Sequence, residues 1–146
     1  MVIVKGCQHE RAWIGSQLSL DVTKSPLQHI EIARQLAFLR TQGVVIVGSG
    51  NIVHKLGMVQ WRGGSLDWAN EFDAMSKKLI ERRDLNALAN YTALGSAAQL
   101  SIPTAEHYLP MLYALALVDK NEDLTFFNET IDLGSVSMRS FMTNPA

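Results

Sequence analysis

The chain has 146 residues, 47% hydrophobic and 18% charged, enough for one domain with a buried core and typical of a globular protein. With 13 basic and 14 acidic residues the net charge is −1, which leaves no electrostatic footprint for nucleic acid. The single cysteine, Cys7, rules out an intrachain disulfide and fits a reducing, cytoplasmic setting; no apolar run approaches the ~20 residues of a membrane span, and Val2-Ile3-Val4 is too short for a signal peptide.

Residues 14–20 read as a strand entering Asp21. Ser25 and Pro26 then open a helix as N-cap and first helical residue, with Leu27, Ile30, Ala33, Leu36, Ala37 and Phe38 as its apolar face and Gly43 as its stop. The run Val44-Val45-Ile46-Val47 reads as a buried parallel strand, and Asn51 as the cap of a short helix through Leu56. Trp68, Phe72, Met75 and Leu79 mark one face of a long amphipathic helix whose other faces carry Glu71, Lys77, Lys78 and Glu81. Asp84 suits the cap of another short helix through Tyr91. Residues 104–117 read as helical, with Pro110 either opening that helix or kinking it beside His107. Residues 124–127 and 135–141 read as closing strands, antiparallel or mixed. Strands alternating with helices give an α/β class: a layered fold with a central mixed sheet flanked by helices.

The chemistry concentrates where the apolar strand ends in Gly48-Ser49-Gly50-Asn51-Ile52-Val53-His54. A strand ending in such a turn delivers the next side chains to the carboxyl edge of a sheet, where open α/β folds keep their sites, and an imidazole there suits proton transfer or metal binding. A second histidine, His107, follows 53 residues later in Pro103-Thr104-Ala105-Glu106-His107-Tyr108-Leu109-Pro110. Other readings of these residues are weaker. Val53 stands where a dinucleotide fingerprint needs its third glycine, and Gly-Ser-Gly is not the five-residue elbow that would make Ser49 a nucleophile. Cys7 and His9 form a Cys-x-His pair too sparse for a metal site. The cluster Lys77, Lys78, Arg82 and Arg83 reads as a solvated helix face. Arg139 suits a salt bridge before a substrate carboxylate.

Taken with Gln17-Leu18-Ser19-Leu20-Asp21, the Pro26…His29 stretch and Leu133-Gly134-Ser135-Val136-Ser137-Met138-Arg139-Ser140-Phe141, these motifs resemble the class III extradiol ring-cleaving dioxygenases, in particular the 4,5-DOPA branch. The likeness covers residues 17–146 as the C-terminal part of a catalytic domain and leaves residues 1–16 as an unmatched segment. It implies an incomplete version of the family fold, because family members are longer and their N-terminal half carries two histidine ligands and an Asp-His-Gly motif. The abrupt loss of likeness before residue 17 points to a shifted frame, an alternative start or a truncation.

The resemblance implies metal-dependent opening of a catechol such as DOPA with O2, with Fe(II) expected and Zn(II) as the alternative metal. It makes His54 the general acid/base or a group close to the metal, and places His107 at the position completing the metal site. Glu106 is an alternative carboxylate ligand, and whether it or His107 faces the metal stays open. His29 is implied as a packing or supporting residue. The missing half implies a homo-oligomer or a partner chain, with no nucleic acid and no membrane. The competing reading is an inactive remnant or accessory subunit acting through protein–protein contacts.

Overall fold

A computed structural model describes residues 2–7 and 13–144, with side chains described for 15–143. The order of elements is strands β1 (Val2–Cys7) and β2 (Trp13–Leu18), helix α1 (Pro26–Gln35), strand β3 (Val44–Gly48), helices α2 (Asp67–Glu81), α3 (Leu85–Ala89), α4 (Ser96–Ser101) and α5 (Leu109–Ala116), then strands β4 (Asp123–Phe127), β5 (Ile131–Asp132), β6 (Val136–Ser137) and β7 (Ser140–Asn144). Small sheets flanked by helices make it a layered mixed α/β fold. His9 lies outside the described residues and Cys7 is described only as strand backbone.

Local chemistry sets the first helix as its sequence implies. The Ser25 hydroxyl accepts from the Gln28 amide and the Gln28 side chain accepts from the Ser25 amide, a reciprocal cap with Pro26 just inside. The helix ends at Gln35 and tightens into a 3-10 turn over 37–42, which Gly43 closes at φ 74°. His29, Ile30 and Ala33 form the buried face of α1, and Ala33 meets Tyr113 of α5 together with Ile46 of β3.

Strand β3 departs from expectation. It pairs antiparallel with β1, in a sheet ordered β2-β1-β3, rather than lying in a parallel sheet. Nor is it buried throughout: Ile46 packs toward α1 and α5, but Val45 and Val47 are exposed. Among the described residues, only one face of the strand has a layer against it. Asn51 does not cap a helix either. Its amide donates to the carbonyl of Ser137 at 2.8 Å, and the segment makes only a 3-10 turn at Leu56–Met58.

Helix α2 is amphipathic, but its most deeply buried line runs through Ala69, Phe72, Asp73, Ser76 and Ile80, with Trp68, Met75 and Leu79 packed at its margin. The line includes a carboxylate because Arg139 comes to meet it: the guanidinium donates to Asp73 through Nε (3.0 Å) and Nη2 (2.5 Å). Asp84 caps α3 by accepting from the Ala87 amide. Pro110 opens α5 and does not kink it; a separate 3-10 turn, Ala105–His107, precedes that helix. The expected strand over 135–141 divides into β6, paired with β5, and β7, paired with β4. The core gathers Phe72, Leu88, Tyr108, Leu109 and Leu112, with the Tyr108 hydroxyl donating to the carbonyl of Leu88.

Candidate functional site

The two segments singled out by sequence meet in space. The turn after β3 lies directly against the turn that leads into α5, and glycine makes this approach feasible. A Cβ at Gly48 would collide with the carbonyl of Pro110, and one at Gly50 with the carbonyl of His107. The ring of His107 consequently stands 5.0 Å from that of His54, centroid to centroid, at an interplanar angle of 36°.

His54 is buried and fastened on every side. Its amide donates to the carbonyl of Ser101 (3.0 Å). Its Nδ1 lies 3.1 Å from the carbonyl oxygen of Asn51 and its Nε2 lies 2.9 Å from that of Thr104. A neutral imidazole has one N–H, so it can satisfy only one of these two acceptors. Burial pushes its pKa down, while the Thr104 carbonyl pulls the other way and the neighbouring His107 adds to the fall. The ring is thus held between two proton acceptors in a site that resists a second proton.

His107 is exposed and lines an open cavity of about 1360 Å³. Glu106, also on that wall, accepts a hydrogen bond from the Thr104 hydroxyl at 2.6 Å. That bond, with help from the backbone, holds its carboxyl below the usual range, so it stays ionised at neutral pH. Ser49 and Asn51 line the same cavity. The other residues that sequence singled out lie elsewhere. His29 is buried between the Tyr113 hydroxyl (2.9 Å) and the Asp21 carbonyl (3.1 Å), a supporting position. Arg139 borders the cavity but is committed to Asp73 and Glu129, so its charge is matched within the fold. Sequence reasoning missed Thr104 and Asn51 as the carbonyls that hold His54, and Ser137 as the residue that ties Asn51 to Asp73. Backbone carbonyls leave no signature in residue type. The Gly-x-Gly spacing was the only signal of the close approach.

The described residues do not by themselves make a metal centre. No three of their His, Cys, Asp or Glu side chains converge. Both ring nitrogens of His54 point at carbonyl oxygens, which leaves His107 as the imidazole of the pair open to the cavity. No described helix is long and apolar enough to cross a membrane.

No family model matches the chain. Curated relatives do. It is 41% identical over 129 residues to a 4,5-DOPA dioxygenase extradiol of Escherichia coli (strain K12), a match covering 85% of this chain and 47% of that protein. It is 32% identical over 130 residues to the protein of that name from Portulaca grandiflora, covering 86% and 47%. The crystal structure of an uncharacterised Escherichia coli K12 protein superposes with a TM-score of 0.78 at 38% identity, covering 84% of this chain and 52% of that one. The chain therefore spans about half the length of the curated relatives it matches.

Proposed function

Because the chain belongs with the 4,5-DOPA extradiol dioxygenases along one half of their length, we propose that it forms the proton-transfer half of a catechol ring-opening site. The observation that carries this reading is the His54–His107 pair, one ring clamped between carbonyls and the other open to the cavity. Extradiol opening breaks the ring C–C bond beside the two hydroxyls and places both atoms of O2 in the product, as an aldehyde and a carboxylate. No further oxidant or reductant enters.

The chain's own residues would handle protons. The resemblance gives the acid–base role to His54 and the metal position to His107. His54, however, is buried with both ring nitrogens on carbonyls and His107 lines the cavity, so this reading moves the first proton contact to His107. It takes a hydroxyl proton from a catechol seated in the cavity, and later returns one. His54 stays neutral behind it, because burial and the neighbouring His107 both lower its pKa, and its clamped ring gives His107 a fixed surface to lie against. Glu106, ionised at the rim, steadies the transient imidazolium. The ferrous ion expected from the resemblance, with zinc as its competitor, would need donors beyond the described residues. These would come from a partner chain or an oligomer neighbour. A cytoplasmic setting suits the single cysteine.

The test is a chimera in which this chain replaces the matching half of the Escherichia coli relative, assayed for O2 uptake and ring-opened product with DOPA. One O2 consumed per catechol opened is expected, and His107→Ala should lower the rate by about 10²–10⁴-fold. A folded chimera that opens no catechol would mean that this lineage has kept the fold and lost the reaction.

A further inference from the structure

The composition of β3 and its surroundings disagree. Val44-Val45-Ile46-Val47 is apolar at each position, the pattern of a strand covered on both faces. Among the described residues only one face is covered, by the packing of Ile46 against Ala33 and Tyr113; Val45 and Val47 are 54% and 42% exposed. Across the same cavity Phe127, Met138 and Met142 are also exposed, so apolar side chains from β3, β4, β7 and the β6–β7 turn face one open space. His107 lines that space as well. A shared apolar face of this kind marks an interaction site more often than a solvated surface.

The relatives indicate what covers it. In the Escherichia coli protein the matched stretch is 47% of the whole, so a segment of comparable length accompanies it. Resting on the dioxygenase reading above, we infer that this face is the seat of a segment equivalent to the half of the relatives that the chain does not span. That segment lays an apolar layer on Val45 and Val47 and closes the cavity beside His107.

Cysteine accessibility tests the placement without reference to activity. In a Cys7→Ser background, Val45→Cys and Val47→Cys are labelled with a maleimide in the chain alone and in the chimera described above. Glu71→Cys on the exposed side of α2 serves as the open reference, and fully buried Leu88→Cys reports an intact fold. Labelling at positions 45 and 47 should be fast in the chain alone and at least tenfold slower in the chimera. Labelling there as fast as at Glu71→Cys, with Leu88→Cys still protected, overturns the inference. Protection in the chain alone that grows with its concentration assigns the face to a second copy and overturns it equally. Should Leu88→Cys open in the chimera, the same comparison on the two halves co-expressed as separate chains decides between these outcomes. Protected cysteines in a chimera without turnover would uphold the interface while removing the activity.

Discussion

His29 and His54 are both buried with two oxygen partners, yet their partners differ in kind. The Tyr113 hydroxyl can donate to Nδ1 of His29 while Nε2–H donates to Asp21, so a neutral ring is fully satisfied. His54 faces two carbonyls, neither of which can donate. The first arrangement satisfies the ring completely; the second leaves one carbonyl without a donor while the ring is neutral. Tyr113→Phe strands the Nδ1 lone pair of His29 and should cost about 1–3 kcal/mol, read from denaturant midpoints. Burial lowers the pKa of both rings, so the unfolded chain takes up protons more readily than the folded one. The stability this confers is present above the unfolded histidine pKa near 6.5 and is lost as the pH falls below it. The thermal midpoint should therefore drop from about pH 7.5 to about pH 5, and His29→Gln should flatten that slope. A slope unchanged by the substitution would place the proton uptake elsewhere.

At the scale of elements, the site depends on two turns that approach closely and on a polar tie that keeps them aligned. Gly50→Ala places a methyl group against the His107 carbonyl, and relief requires the β3 turn to move away from α5. Overpacking of this kind costs about 1–3 kcal/mol, and NMR should show the His54 and His107 ring shifts moving together. On the other side, the Ser137 hydroxyl donates to Asp73 at 2.6 Å while its carbonyl holds Asn51, so the buried Asp73–Arg139 pair supports the turn bearing His54. Arg139→Met should cost about 3 kcal/mol, since it leaves the buried Asp73 charge without its cation, Asp73→Leu should cost less because Arg139 keeps Glu129, and the double variant should cost clearly less than their sum. Additive losses would mean the two residues act independently. Much of this level was legible in sequence: Ser25-Pro26 and Asp84 begin helices where local chemistry says they must, and Pro110 takes the first of the two courses its sequence left open, starting a helix and not kinking one. The buried line of α2 was not, because an aspartate at position 73 looks solvated until Arg139 arrives from 66 residues away.

For the molecule as a whole, the family and the pairing of His54 with His107 could be read from motif order, whereas the setting of β3 could not. An apolar tetrapeptide encodes the demand for cover on both faces, but the residues that meet the demand on the Val45 and Val47 side are not supplied by the described fold. The consequence is measurable in the chain by itself. A Val45→Thr/Val47→Thr double substitution should change stability by only about 0.5 kcal/mol per site, as at other exposed positions, because little apolar area is withdrawn from water there. The same change should raise the soluble limit and weaken binding of an apolar dye, since it breaks up the open face. In the chimera of the two halves the identical pair should cost markedly more, with hydroxyls now placed in a covered layer. A large loss in the chain alone would mean that its own residues already cover β3, and equal small losses in both contexts would leave the apolar strand without a reason.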